Sequence, residues 1–114
     1  MTLSFNDYQI ATRKTAIYPG AQTGDVRALS YVGLGLGETG EVQGKIKKIL
    51  RDEDGVVTGE KATAIAAELG DVLWYLARTA DELGLELEDI AAGNLDKLAS
   101  RQVRGVLGGS GDNR

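Results

Sequence analysis

Two pairs of acidic residues set beside apolar helix positions constrain the fold of this chain more than any other feature of its sequence. Glu38 and Glu41 form one pair, and Glu68 and Asp71 form the other. Because positions i and i+3 lie on the same face of a helix, each pair presents its two carboxylates together. Both pairs border apolar positions, so packing of the apolar faces brings the pairs close. We therefore expect two consecutive helices that pack antiparallel, with four carboxylates meeting between them.

Four carboxylates at one junction repel each other unless a positive charge lies between them. Two like charges about 4 Å apart cost roughly 4 kcal/mol at an effective dielectric of about 20. Mg²⁺, with Mn²⁺ as a possible substitute, prefers oxygen ligands and keeps positions for water and substrate phosphates. The alternative is that the acids lie on solvated faces and pair with lysines. The matched position of the two pairs favours a metal site.

The spacing of apolar residues predicts an all-α protein, an antiparallel bundle of about four helices. In the first helix, Phe5, Tyr8 and Ala11 share the predicted apolar face. Residues 1–104 are expected to form one domain, and residues 105–114, which lack periodicity, a flexible tail. Cap and turn residues set the limits of the four predicted helices. The first is capped by Ser4 or Asn6 and ends before Tyr18, and the second runs from Thr23–Asp25 to about Leu50. The third follows Thr58 or Gly59, runs from about Glu60 to Leu83 and ends at Gly84, and the fourth runs from about Leu87 to Val103.

Four glycines of the second helix recur at helical spacing, namely Gly33, Gly37, Gly40 and Gly44. Each costs about 0.8–1 kcal/mol relative to alanine inside a helix. Such a stripe makes sense where another helix or a ligand approaches the backbone closely. The alternative is that part of this region is a loop.

The composition excludes several classes of function. The chain has 114 residues, a net charge of -4, no cysteine and no histidine. These features exclude disulfides, thiolate sites and the usual zinc ligand sets, and they give no basic surface for a nucleic-acid polymer. No basic segment precedes an apolar run, and no apolar run is long enough to span a membrane, so the cytoplasm is the expected location.

Further polar residues fall on the faces that carry the acids. A site for a metal-chelated polyphosphate needs cations that neutralise the phosphate charge the metal does not reach. The residues at the required helical spacing are Lys45 and Lys48 after Glu41, Tyr75 and Arg78 after Asp71, and Asn94, Lys97 and Arg101 on the fourth helix.

One sequence motif is typical of a different class of protein. Residues 35–40 match the G-x-G-x-x-G pattern of dinucleotide-binding proteins. That motif works only at a strand-to-helix turn, and the chain shows no alternating strand pattern. The match is therefore interpreted as accidental.

The chain resembles the MazG-type, all-α nucleoside triphosphate pyrophosphohydrolases. The resemblance covers about Leu29 to Arg101. It rests on three segments: Gly37–Val42 followed by Lys47 and Lys48, then Glu68–Tyr75, then Asn94, Lys97 and Arg101.

The resemblance implies Mg²⁺-dependent hydrolysis of a nucleoside triphosphate to a monophosphate and pyrophosphate. It implies that Glu38, Glu41, Glu68 and Asp71 ligate the metal and form the catalytic centre. It also implies a dimer or dimer-based tetramer with sites near subunit interfaces. The implied substrate-binding residues are Lys48, Tyr75, Asn94, Lys97 and Arg101.

The chain departs from the family pattern at Gly37, where many members carry an additional glutamate. Two alternatives stay open. One is a relative specific for dUTP, dCTP or phosphoribosyl-ATP. The other is a non-catalytic helical module in which the acids bind a structural cation or none, and the glycine stripe is an oligomer interface.

Overall fold

The computed structural model describes residues 2–52, 54–109 and 111. Within these residues the chain is helical and contains no strand, which confirms the all-α prediction. The helices are α1 (Phe5–Thr12), α2 (Val26–Gly35), α3 (Thr39–Asp52), α4 (Gly59–Glu82) and α5 (Leu87–Arg104), with 3₁₀ turns at Arg13–Thr15 and Leu36–Glu38.

The predicted second helix is present as α2 and α3, joined by the 3₁₀ turn at Leu36–Glu38. Gly35, Leu36 and Thr39 all have right-handed helical backbone angles, so the chain stays helical through the junction. The alternative of a loop is therefore wrong. The tighter 3₁₀ turn ends at Glu38, so it changes the helical register between the two members of the first acidic pair.

Short polar side chains begin three of the helices as predicted. The Ser4 hydroxyl accepts a hydrogen bond from the Asp7 amide, and Asp25 and Thr58 make the same kind of contact at α2 and α4. At the end of α4, Gly84 has φ +71°, and the Leu85 amide donates to the Ala80 carbonyl at 2.9 Å. This Schellman arrangement ends α4 at the predicted glycine.

Helix α4 is the centre of the fold and packs on all four other helices. The Gly24 amide donates to Glu82, Gly35 faces Tyr75, and Lys45 pairs with Glu68. Partners on α4 thus move toward its N-terminus as the chain advances from α2 to α3. The α2–α3 segment therefore runs antiparallel to α4, as predicted.

The close approach between these helices occurs at a glycine outside the predicted stripe. A Cβ atom at Gly35 would overlap the ring of Tyr75, whereas a Cβ atom at any of the four stripe positions would meet nothing within 4 Å. No described part of this chain approaches the stripe closely, so close approach by a helix of a second copy or by a ligand stays a prediction. Gly35, the last residue of α2, is the glycine that faces α4.

The buried face of α1 also differs from the prediction. Gln9 and Thr12 are buried, while Phe5 and Ala11 are exposed. Gln9 donates to Asp81 at 3.1 Å and to the Leu85 carbonyl at 2.8 Å. Helix α1 therefore docks through polar contacts that an apolar pattern does not detect.

The apolar core is small. Ala16, Tyr18, Ala28 and Val32 form its buried cluster, with Trp74 and Tyr75 packed against it. The radius of gyration is 17.0 Å, compared with about 13 Å for a typical domain of this length. Several large apolar side chains of α5 are exposed: Ile90, Leu95, Leu98 and Val103.

Helix α5 ends in a second left-handed glycine, Gly105. Beyond it, the Gly111 carbonyl accepts a hydrogen bond from Arg101 at 3.4 Å. Residues 110 and 112–114 of the predicted tail lie outside the described residues, so its flexibility stays a prediction. Among the described residues, no helix is long and apolar enough to cross a membrane.

Candidate metal centre

Three of the four predicted acidic residues come together between the two antiparallel segments. Glu38, Glu68 and Asp71 each offer a carboxylate oxygen, and these oxygens lie within 4.8 Å of one another. Glu38 ends the 3₁₀ turn, whereas Glu68 and Asp71 are one turn apart on α4. Three oxygens at this spacing, from two helices, can coordinate a single cation.

The contact at Gly35 sets this geometry. Tyr75 lies one turn beyond Asp71 on α4, and its ring occupies the space that a side chain at position 35 would fill. The absence of a side chain lets the end of α2 approach α4 closely. Glu38, three residues later, therefore reaches the acidic pair of α4.

Glu41 is not part of the three-carboxylate group. It lies in the first turn of α3, and its side chain is exposed. The 3₁₀ turn ends between Glu38 and Glu41, so the two residues belong to differently wound parts of the helix. A ligand role for Glu41 stays a prediction.

Among the described residues, one ion pair joins a basic side chain to the cluster. Lys45 Nζ is 3.7 Å from Glu68, with the lysine side chain 37% exposed and the glutamate 20% exposed. Lys45 lies on the helix face that the sequence predicted. Its acidic partner, Glu68, belongs to α4. One ammonium beside three carboxylates leaves net negative charge, and this all-oxygen donor set fits a hard divalent cation such as Mg²⁺.

A cavity of about 250 Å³ opens directly beside the carboxylates. Its lining consists of the carboxylates Glu38 and Asp71 and the aromatic residues Trp74 and Tyr75. The two aromatic rings meet edge to face, with centroids 5.1 Å apart. The cavity thus combines acidic and aromatic side chains in one lining.

Two tyrosines next to the cluster stay neutral at physiological pH. Burial raises the pKa of Tyr8, and the charge of Asp71 raises it further. Burial also raises the pKa of Tyr75, and Tyr31, Glu38 and Asp71 add to this effect. Tyr8 was not among the predicted site residues, although the predicted face of α1 contained it.

The remaining predicted substrate-binding residues are Lys48 on α3 and three residues of α5. Lys48 is exposed on α3. Helix α5 packs on α1 and α4, and no hydrogen bond or ion pair between described residues joins Asn94, Lys97 or Arg101 to the three carboxylates. Asn94 and Lys97 are exposed, whereas Arg101 is only 4% exposed. Their roles toward substrate stay predictions.

A larger cavity, of about 530 Å³, lies near the C-terminal end of α4. Three carboxylates line it, namely Asp81, Glu82 and the exposed Glu86. Asp81 pairs with Arg13 and Arg78, and Glu82 pairs with Arg78. Among the described residues, these carboxylates do not converge as the three of the smaller cavity do.

Fold and site together define an all-α protein with a carboxylate cluster suited to a divalent metal. The family model described as the MazG nucleotide pyrophosphohydrolase domain matches residues 28–105. This span is more than half of the chain and contains every predicted site residue. The chain therefore belongs to the MazG nucleotide pyrophosphohydrolase family, which confirms the resemblance and places it among hydrolases.

One relative is described as the Gene 37 protein of Mycobacterium phage L5. It is 56% identical over 109 residues, which span 94% of this chain and 96% of the relative. No solved structure shows a significant match to the chain.

Proposed function

We propose that the protein hydrolyses a nucleoside triphosphate to the monophosphate and pyrophosphate in a Mg²⁺-dependent reaction. The observation that carries the proposal is the meeting of Glu38, Glu68 and Asp71 beside a cavity with an aromatic wall. Family membership supports hydrolysis at a nucleotide phosphoanhydride. Such an activity would act on the nucleotide pool of the cytoplasm, the compartment expected from the sequence.

In this proposal the three carboxylates hold the metal, with Glu41 completing the set when substrate is bound. When present, Mg²⁺ supplies positive charge to the triphosphate and makes a nearby water more acidic. A carboxylate of the cluster accepts the proton of the attacking water. Tyr75 and Trp74 face the base or sugar, because an aromatic surface stacks on any nucleobase.

The cations of the site neutralise phosphate charge. Lys45 is already next to Glu68, and Lys48 lies seven residues, or two turns, after Glu41 on α3. We propose that Asn94, Lys97 and Arg101 contribute from α5 of a second copy of the chain. The exposed apolar residues of α5 and the large radius of gyration support a dimer or dimer-based tetramer.

The first experiment is pyrophosphate release from a panel of nucleoside triphosphates, with Mg²⁺, with Mn²⁺ and with chelator. The panel includes dUTP, dCTP and phosphoribosyl-ATP, so that the specific relatives are tested directly. Glu68→Gln should reduce the rate by at least 100-fold, the scale of losing a transition-state charge stabiliser. Glu60→Gln, an exposed position of the same helix, is the matched control and should keep full activity.

Absence of release from every nucleotide, or equal activity in both glutamine variants, would reject the proposal. Divalent cations that raise the melting temperature without any turnover would favour the non-catalytic metal-binding module instead.

The shared site is tested by mixing two inactive variants. If the acids of one copy work with α5 of another, mixed dimers of Asp71→Asn and Lys97→Ala contain one intact site. Equal mixing should restore about a quarter of wild-type activity, because half of the dimers are mixed and one of their two sites is intact. No recovery after verified subunit exchange would place α5 outside the site, and a monomer by light scattering would exclude the dimer.

A further inference from the structure

Trp74 lines the cavity, and its orientation is set by a segment that lies outside the matched family domain. Its indole Nε1 donates a hydrogen bond to Thr15 Oγ1 at 2.8 Å. Thr15 belongs to the 3₁₀ turn after α1, thirteen residues before the family match begins. The family domain therefore supplies Trp74, and the preceding segment supplies its hydrogen-bond acceptor.

The Thr15 hydroxyl is itself oriented. It donates its proton to the Thr12 carbonyl at 3.1 Å, which leaves an oxygen lone pair to accept the indole N–H. An indole nitrogen can only donate, so an acceptor at this position fixes the plane of the Trp74 ring. The Thr15 hydroxyl thus donates to a carbonyl and accepts from the indole N–H, which can act only as a donor.

A second contact fixes the other side of Trp74. The ring of Tyr18 meets Trp74 edge to face at 6.2 Å and stacks on Tyr31 at 5.1 Å. Such aromatic pairs have preferred geometries and add to the energy of burial. Trp74 is therefore held by a hydrogen bond and by a ring, both from residues 13–25 before α2.

The position of Tyr18 beside Trp74 is fixed, because its hydroxyl is part of a buried ionic network. It accepts hydrogen bonds from Arg78 at 3.2 and 3.1 Å and donates to Glu82 at 3.1 Å. Arg78 is fully buried and pairs with Asp81 at 2.8 Å and Glu82 at 3.5 Å. Displacing Tyr18 would leave buried charges with fewer partners, which is costly.

We propose that Thr15 and Tyr18 are positioning residues that fix Trp74 as the base-facing wall of the nucleotide pocket. The inference rests on the proposed function for the identity of the ligand. It predicts that loosening Trp74 weakens nucleotide binding while the chemistry at the carboxylates continues. A purely structural role for the same residues would lower stability without changing the affinity for nucleotide.

Thr15→Val is the informative variant, because it keeps the shape of the side chain and removes the acceptor. Thr15 is exposed, so water can replace the lost partner and the variant should fold. Thr15→Ser keeps the hydroxyl and should rescue. Thr63→Val removes a hydroxyl that bonds the Gly59 carbonyl in the first turn of α4, and it is the matched control.

Two readouts separate the positioning role from the proposed function. Trp74 is the only tryptophan, so intrinsic fluorescence reports on this ring alone. Without nucleotide, acrylamide quenching of Thr15→Val should exceed that of wild type, Thr15→Ser and Thr63→Val. With the preferred triphosphate, KM should rise roughly threefold or more, the scale of one neutral hydrogen bond, while kcat stays within about twofold.

Unchanged quenching and KM in Thr15→Val would overturn the proposal. Equal effects in Thr15→Ser would also overturn it, because the hydroxyl would then not be the acting group. If quenching rises as expected but the wild-type protein hydrolyses no nucleotide, the proposed function fails and the positioning of Trp74 by Thr15 stands. Tyr18→Phe, which disturbs the ionic network, should raise quenching further and provides a second test.

Discussion

Two glycines of α2 that differ in their surroundings offer a sharp test of how the helices approach each other. Gly35 faces α4, and a Cβ atom there would overlap the ring of Tyr75. Gly33 lies two residues earlier in the same helix, and a Cβ atom there would meet nothing within 4 Å. Replacing each by alanine therefore adds the same methyl group to a tight contact and to open space.

The expected energies follow from the two environments. Alanine in place of glycine stabilises a helix interior by about 1 kcal/mol, so Gly33→Ala should raise the free energy of unfolding by that amount. At position 35 the same gain is offset by overpacking, which typically costs about 1–3 kcal/mol. Gly35→Ala should therefore range from neutral to about 2 kcal/mol less stable than wild type, and about 1–3 kcal/mol less stable than Gly33→Ala.

Urea unfolding followed by circular dichroism measures both variants, with equal m-values as the check that the same transition is compared. The overlap is relieved when the Tyr75 ring, which lines the cavity beside Asp71, or the backbone of α2 moves. We therefore expect a raised KM for nucleotide in Gly35→Ala and an unchanged KM in Gly33→Ala. Equal stabilisation by both alanines would show that Gly35 does not contact Tyr75, and the placement of α2 on α4 would be wrong.

Three further predictions concern charge. Asp71→Asn should melt higher than wild type without divalent metal, because a repulsive charge is removed, and thermal unfolding in chelator checks this; a lower melting temperature would contradict the cluster. Mg²⁺ at about 100 times its dissociation constant should stabilise wild type by roughly 2.7 kcal/mol and Asp71→Asn far less, as measured by melting across a metal titration; identical shifts would place the ion elsewhere. Burial alone would raise the pKa of Asp81, but hydrogen bonds from Arg13, Arg78 and Gln9 outweigh it and bring the pKa to about 2, below the usual 3.8. Because the folded-state pKa is lowered, Asp81 stabilises the fold by about 2 kcal/mol above pH 4, and this contribution is lost as pH falls toward 2. The free energy of unfolding should change less steeply with pH across this range in Asp81→Asn than in wild type. An unchanged slope would refute the assignment.

The sequence predicted the acidic centre because its signal is local and strongly patterned. Glu68 and Asp71 border a long apolar stripe on one regular helix, so their position relative to the core follows from 3.6-residue periodicity alone. Helix caps at Ser4, Asp25 and Thr58 are equally local, and each is present. Predictions of this kind need no knowledge of what a helix packs against.

The register of the second segment could not be predicted in the same way. A regular helix through residues 25–50 places the glycine stripe at Gly33, Gly37, Gly40 and Gly44, but the 3₁₀ turn at Leu36–Glu38 interrupts it. Gly35 is the glycine that makes the close contact with α4, but helical spacing does not place it on the predicted stripe. Its importance depends on the ring of Tyr75, forty residues away. Only this tertiary contact distinguishes Gly35 from the glycines of the stripe.

Arg78 shows why a shared helix face does not imply a shared site. It lies seven residues after Asp71, two turns along α4, so the sequence assigned both to the substrate face. Between them the surroundings of that face change, from the open cavity at Asp71 to the buried contact with Tyr18 at position 78. A fully buried guanidinium needs partners in several directions. Helix α1 supplies one of them, the Thr12 hydroxyl, and its Gln9 donates to Asp81, an ionic partner of Arg78. The same requirement explains why α1 docks through Gln9 and Thr12 and not through its apolar residues. Arg78 is fully buried and bonds to Tyr18, whose ring meets Trp74. Its position therefore suits support of the pocket and not contact with phosphate.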